Sequence, residues 1–298
     1  MNVKKHPSPF PNHPLFPLPP LREVLSTFDL TARKSLGQNF LLDLNLTGRI
    51  ARSVADLCCG TTIEVGPGPG GLTRALLDHG APHVIAIERD QRMLPIQNHL
   101  ATAYPGRLTL LHEDALRVPV HTLGETPRRV VANLPYNIAT PLLLGWLRYS
   151  DAFSSITVML QKEVAARLGA LPKTKSYGRL SIVTQWLCSV EPLFDIHPKA
   201  FIPPPKVTST LMRLVPHQPR PVDCSFEALE IVTAAAFGQR RKMLKTSLRP
   251  VEPHLPRGMT LHDLCSEAGI TPTARAEDLT IAEFCMLASR IVIKNSFT

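Results

Sequence analysis

From Thr62 onward, short runs of β-branched and aliphatic residues alternate with stretches whose apolar positions recur at helical spacing. Strands are predicted near 62–65, 83–87, 107–111, 128–132 and 153–160, at intervals of roughly 20 residues that leave room for a crossover helix. Strands alternating with helices imply a mostly parallel sheet covered on both faces, a doubly wound α/β domain. Two further extended runs, near 190–196 and 208–215, flank a proline-rich loop, Ala200 to Lys206, that is too short for a crossover helix. An antiparallel pair should therefore end the sheet. After Pro221 helical periodicity takes over, as in Phe226–Val232 and Ile281–Ile293, and a small all-helical domain is expected over 222–298. The first twenty residues hold seven prolines, and no acidic residue precedes Glu23. Such a stretch suits an extended, solvated chain, so residues 1–28 are expected to be a disordered extension ahead of an α/β domain spanning 29–221.

The chain has 298 residues and is 44% hydrophobic, enough for a substantial core in one large and one small domain. Its 33 Lys and Arg against 24 Asp and Glu give a net charge of +9, which favours a polyanionic partner, nucleic acid first. The longest uncharged run, Val130–Leu147, contains Asn133, Pro135, Asn137 and Pro141, which argues against a membrane span. Six cysteines without a Cys-x-x-Cys pair suggest neither zinc nor a disulfide framework, and fit reduced thiols in the cytoplasm. No metal site is expected.

Ile63 to Thr73 reads as a strand, a glycine-rich turn and a helix start, the place where open α/β sheets bind ligands. It contains G-x-G-x-x-G at Gly66, Gly68 and Gly71, and Glu88 at the end of the next strand is placed to hold ribose hydroxyls. The motif alone does not separate a dinucleotide from S-adenosylmethionine. Asp114 follows the third strand and offers acceptor oxygens to an adenine amine, or alternatively caps a turn.

Asn133-Leu134-Pro135-Tyr136-Asn137 directly follows the fourth strand. The Asn133 carboxamide oxygen can accept one N–H of an amino group, and Pro135 biases Leu134 to an extended conformation that can aim its carbonyl at the other. Tyr136 offers a ring on which a base can stack, and Thr140-Pro141 reads as an N-cap and first turn. An exocyclic purine amine is a poor nucleophile because its lone pair is delocalised. Two acceptors that hold both N–H groups out of plane free that lone pair, and alignment with an activated methyl group supplies proximity.

Gly37-Gln38-Asn39-Phe40-Leu41, the 64–73 loop, Glu88, Asp114, Asn133 to Asn137, Phe201 to Val207 and Gln239 to Lys242 occur in one order. In this the chain, from about residue 30 to its end, resembles the small-subunit rRNA adenine dimethyltransferase family of the KsgA type. The resemblance implies a Rossmann-like class I methyltransferase domain, S-adenosylmethionine as cofactor, and dimethylation of N6 on two adjacent adenosines in a hairpin loop near the 3′ end of small-subunit rRNA. Carried over, Asn39, Leu41, Gly66, Glu88, Asp114 and Asn133 resemble cofactor contacts. Asn133, Leu134, Pro135 and Tyr136 resemble the catalytic loop, and Tyr136 and Phe201 the aromatic pair that sandwiches the target base. Phe201 reads equally well as a core anchor. Arg240, Arg241, Lys242 and Lys245, with Arg249, form a basic cluster in which 241, 245 and 249 share a stripe if helical; RNA phosphates would neutralise it. Gly238 just before it weakens a rigid stripe. The implied partner is small-subunit rRNA or a pre-small-subunit ribosomal particle, approached by a monomer without membrane contact. The alternatives are a large-subunit rRNA adenine methyltransferase, a non-catalytic nucleic-acid-binding relative, and a nucleotide-dependent oxidoreductase. The last leaves Asn133–Tyr136 unexplained.

Overall fold

The computed structural model describes residues 18–293. In chain order the strands are β1 (Phe40–Leu41), β2 (Thr61–Val65), β3 (His83–Ile87), β4 (Leu108–Leu111), β5 (Arg128–Asn133), β6 (Ser155–Gln161), β7 (Cys188–Ile196), β8 (Phe201–Ile202) and β9 (Ser209–Pro216). Seven of them form one sheet in the order β4-β3-β2-β5-β6-β9-β7. The first five are parallel, and β9 pairs antiparallel with β6 from Ile156↔Leu214 to Gln161↔Ser209. The two extended runs that flank the proline-rich connection, β7 and β9, thus lie side by side at the edge of the sheet. β1 and β8 make a separate two-stranded ladder, Phe40↔Ile202 and Leu41↔Phe201.

The chain runs outward from β2 through β3 to β4, then returns to lay β5 and β6 on the other side of β2. The reversal leaves a crevice at the carboxyl ends of β2 and β5, where open α/β sheets take their ligands. All of β2 is buried, as a parallel strand covered on both faces must be. At the start of β5 the Arg129 side chain is also buried, because its guanidinium donates to the Cys59 carbonyl at 2.6 Å.

The helices are α1 (Leu21–Thr27), α2 (Leu44–Arg52), α3 (Gly71–Asp78), α4 (Leu94–Ala103), α5 (Tyr136–Leu147), α6 (Lys162–Leu168), α7 (Arg179–Leu187), α8 (Phe226–Gly238), α9 (Leu244–Ser247), α10 (Leu261–Glu267) and α11 (Ile281–Ala288). Helix α1 corrects the expectation of disorder through residue 28; residues 1–17 lie outside the described part. Leu21 and Val24 are buried, and Val24 packs with Leu30, Phe40, Met93 and Ile96, with Leu25 and Phe28 against them. Apolar residues at helical spacing outweighed the preceding prolines. A second correction concerns α5, which begins at Tyr136 and not at Thr140-Pro141. Pro135, at φ −57°, already sets the entry, and Pro141 inside the helix denies a donor only to the carbonyl of the exposed Asn137.

The chain divides into two compact units, residues up to 162 with 192–214, and 163–191 with 215 onward. The helical unit therefore takes up α6 and α7 as well as the residues after β9, whereas the sequence suggested one boundary near 221. Trp186 of α7 donates to the Val222 carbonyl at 2.8 Å and lies 6.5 Å from the Phe226 ring of α8. Tyr177 donates to the Leu279 carbonyl at 2.9 Å. Thr260 with Asp263 and Thr280 with Glu283 form capping boxes that fix where α10 and α11 start. Among the described residues no helix is long and apolar enough to cross a membrane.

Candidate active site

A cavity of about 1110 Å³, counted to its open mouth, occupies the crevice. Four parallel strands deliver its walls. β2 runs into the Gly66–Gly71 turn, β3 ends at Glu88, the loop after β4 brings Asp114, and β5 runs through Asn133 into the first turn of α5. The segment from Ser35 to Leu41 closes the remaining side. Asn39, Leu41, Gly66, Glu88, Asp114, Asn133, Leu134, Pro135 and Tyr136, all singled out in the sequence, meet in this one space.

The glycine turn is built for close approach. Gly66 has φ +73°, and a Cβ added there would meet nothing nearer than the Asn133 carbonyl at 3.9 Å, so the space beside its backbone is open to a ligand. Gly68 is held on three sides: its N–H donates to Glu88 Oε2 at 3.1 Å, its carbonyl accepts from the buried Gln97 at 2.6 Å, and the Phe40 ring lies 3.3 Å from where a Cβ would stand. Glu88 Oε1 accepts from the Asp90 N–H at 2.7 Å, so one carboxylate braces the turn and still faces the cavity. Burial raises the Glu88 pKa above the usual carboxylate range, partly offset by the Asp90 and Gly68 N–H bonds.

Asp114 is engaged as a turn former, its Oδ1 accepting from the Leu116 N–H at 3.1 Å, and its Oδ2 lies 3.2 Å from Arg89. Each oxygen keeps a further lone pair for an amino N–H, so the turn role leaves room for a ligand contact. Asn133 is oriented by its amide nitrogen, which donates to the Asn39 carbonyl at 3.0 Å. Only Nδ2 can donate, so Oδ1 is fixed on the other side of the amide, and no described residue donates to it. Leu134 is 2% exposed, which assigns its side chain to the core and leaves its main chain to border the cavity. Tyr136 opens α5 half-buried, its hydroxyl 2.6 Å from Ser209 Oγ. Burial pushes its phenol above its ordinary pKa, so it remains neutral and offers a ring face instead of a base.

Sequence reading missed the latch behind this wall. Gln38 accepts from the Arg33 N–H at 2.9 Å and donates to Asp90 Oδ2 at 2.9 Å, and Arg92 reaches the same Asp90 oxygen at 2.6 Å and the Thr31 carbonyl at 3.1 Å. Burial would raise the Asp90 pKa, but the Arg92 and Gln38 bonds outweigh it and hold the carboxyl below its usual range. The segment that presents Asn39 is thereby tied to the residue two beyond Glu88. The charged run Glu88-Arg89-Asp90-x-Arg92 at a strand end was the available signal.

Phe201 is a correction. It is 1% exposed, packs in the core with Leu76, Leu77 and Leu211, and does not line the cavity. Its place opposite Leu41 in the β1–β8 ladder makes it a wall support. The basic cluster is corrected as well: α8 ends at Gly238 and α9 holds only Leu244–Ser247, so 241, 245 and 249 share no helical stripe. Arg240 is committed within its own unit, to Glu277 at 2.8 Å and to the Lys175 and Thr174 carbonyls. Arg241, Lys242 and Lys245 are exposed. Among the described residues no three His, Cys, Asp or Glu side chains cluster as metal ligands.

Glu64, on the cavity floor, is fully buried with Oε2 unpartnered, and burial, with Glu88 beside it, pushes its carboxyl up to about 8. The folded state thus binds a proton at Glu64 that the unfolded state releases near its ordinary 4.5. Its contribution to stability is full below that ordinary value and is lost as pH rises through about 8. Glu64→Gln is expected to lose less thermal stability than the wild type between pH 5 and 9, measured as melting temperature against pH. Parallel curves for the two proteins would contradict it.

The arrangement suits S-adenosylmethionine: a glycine turn with an open approach and a carboxylate at each of two strand ends. A family model described as ribosomal RNA adenine dimethylase matches residues 29–292. The chain is 59% identical to the ribosomal RNA small subunit methyltransferase A of Paramagnetospirillum magneticum, over 91% of this chain and 94% of that protein. It is 58% identical to the protein of that name from Rhodospirillum rubrum, over 92% and 93%. Among solved structures, its fold is similar to a dimethyladenosine transferase from Plasmodium falciparum, with a TM-score of 0.72 at 23% identity over 82% of this chain and 94% of that one. It is also similar to the 23S rRNA methyltransferase ErmE, with a TM-score of 0.60 at 25% identity over 85% and 99%.

Proposed function

The chain belongs to the ribosomal RNA adenine dimethylase family, and from that premise we propose a division of labour within its cavity. The protein is an S-adenosylmethionine-dependent adenine dimethyltransferase of small-subunit rRNA. Two adjacent adenosines of a 3′-terminal hairpin loop are its target, met in the cytoplasm by a monomer.

When bound, S-adenosylmethionine supplies an activated methyl group. Glu88 would hold its ribose and Asp114 its adenine amine, with Asn39, Leu41 and Gly66 completing the wall. The target base leaves its stack and lies on the Tyr136 ring. For the first transfer its N6 amino group donates one N–H to Asn133 Oδ1 and the other to the Leu134 carbonyl, which draws the nitrogen lone pair out of conjugation and aims it into the cavity; for the second, the single remaining N–H has one of these acceptors. No general base is needed, because the nitrogen gives up its proton readily once it has gained a fourth substituent. The carrying observation is the bond from Asn133 Nδ2 to the Asn39 carbonyl, which turns the carboxamide oxygen, the only acceptor of that side chain, away from Asn39 and free to receive an amino N–H. Preorganised acceptors of this kind cost no rearrangement during reaction.

The test is transfer of labelled methyl groups to undermethylated small subunits and, in parallel, to large subunits. Label in the small-subunit rRNA alone is expected, and label in the large-subunit rRNA alone would overturn the reading. RNA affinity supplies a second prediction. Removing the charges of Arg241, Lys242 and Lys245 should weaken binding and flatten the slope of log affinity against log salt by about 0.7–0.9 for each phosphate that is no longer neutralised. Arg240→Ala should leave that slope unchanged, because its guanidinium is already neutralised by Glu277.

A further inference from the structure

Tyr136 and Ser209 are mutual partners: the hydroxyl oxygens lie 2.6 Å apart, and neither side chain makes another hydrogen bond among the described residues. Ser209 is fully buried. It is the first residue of β9, held opposite Gln161 of β6, and it ends the proline-rich connection from β8. Tyr136 is the first residue of α5, where the chain has just left the catalytic loop. A helix start fixes only the Cα end of an aromatic side chain, and χ1 and χ2 remain free to swing the ring across an open cavity. A bond at the para position supplies a second point that fixes the axis of the ring, and the preference of a phenol oxygen for hydrogen bonds close to the ring plane biases rotation about that axis.

We propose that Ser209 is a positioning residue for the methyl transfer: it holds the Tyr136 ring at the place in the cavity where the target adenine stacks. This rests on Tyr136 being the stacking platform. Ser209 touches neither substrate nor cofactor, and it acts through the orientation of the ring. A phenylalanine ring in place of Tyr136 would keep the stacking surface and lose the lock. Stacking therefore depends on the ring and its accuracy on the hydroxyl pair. The nearby Thr210, which donates to Asp195 Oδ1 at 2.7 Å, faces a separate exposed ion pair with Lys162 and has no part in the lock.

The experiment compares Ser209→Ala, Ser209→Thr, Tyr136→Phe, Tyr136→Ala and the Ser209→Ala/Tyr136→Phe double variant of the full chain. Single-turnover methylation of undermethylated small subunits is read at saturating cofactor. An rRNA hairpin carrying 2-aminopurine at the target position reports stacking by fluorescence quenching. Ser209→Ala and Tyr136→Phe are each expected to lose about 5- to 10-fold in rate, the equivalent of one neutral hydrogen bond. The double variant should lose no more than either single one, Ser209→Thr should recover most of the rate, and quenching should weaken in step. Tyr136→Ala should lose both rate and quenching. Wild-type rate and quenching in Ser209→Ala, with Tyr136→Ala still impaired, would overturn the lock alone. Unimpaired Tyr136→Ala would overturn the stacking platform beneath it. Losses that add in the double variant would show that Ser209 acts elsewhere. Melting temperatures and cofactor affinity of all five variants separate these outcomes from misfolding.

Discussion

Replacing Asn133 with alanine is expected to slow methyl transfer by about 10²–10³-fold in single-turnover reactions, the usual cost of deleting one preorganised electrostatic partner. The effect should fall on the chemical step. Asn133 stands at the end of β5, its amide turned by the Asn39 carbonyl so that the acceptor is presented before any substrate arrives. Alanine leaves the cavity and the adjacent Leu134 carbonyl in place but removes one of two acceptors, so the amino group keeps its conjugation. RNA affinity should change little, because binding to phosphates depends on exposed cations elsewhere. Asn133→Asp is the informative companion. A carboxylate still accepts, but it cannot donate to Asn39 and would face that carbonyl with like partial charge. It should therefore also be impaired, which separates orientation from mere acceptor capacity. Equal single-turnover rates in Asn133→Ala and wild type would remove Asn133 from the reaction.

Replacing Phe201 with alanine is expected to lower stability by about 3–5 kcal/mol, as deletion of a fully buried ring does. The ring packs among Leu76, Leu77 and Leu211 and stands opposite Leu41, which lines the cavity. Denaturant unfolding followed by a probe in the α/β unit measures the loss. The folded fraction should retain RNA affinity and 2-aminopurine quenching, since Phe201 shows no face to the substrate. Unchanged stability together with lost quenching would return Phe201 to the stacking role that its motif suggested.

Phe201 also shows where sequence reading stops. An aromatic residue before three prolines reads equally well as a platform or an anchor, and only the β1–β8 ladder, a pairing of residues some 160 positions apart, decides it. That helix α7 belongs to the helical unit was missed for a related reason. It lies between strands, where alternation reads as one more βα unit, yet Tyr177 and Trp186 bond to Leu279 and Val222, far along the chain. Local signals carried the rest. The buried parallel strands announced themselves by their β-branched runs, and the residues at their carboxyl ends, Gly66, Glu88 and Asn133, had to meet because the topology reverses between β2 and β5. The latch of Gln38, Asp90 and Arg92 was only half legible: the charged run after Glu88 hinted at it, but Gln38 is an ordinary surface residue type until the chain brings it beside Asp90.

The most direct measurement is identification, by mass spectrometry, of the nucleotides modified when the protein and S-adenosylmethionine are incubated with undermethylated small ribosomal subunits. Two adjacent N6,N6-dimethyladenosines in the 3′-terminal hairpin loop are expected. Methylation of any other base, or cofactor binding with no transfer to the small subunit, would contradict the account.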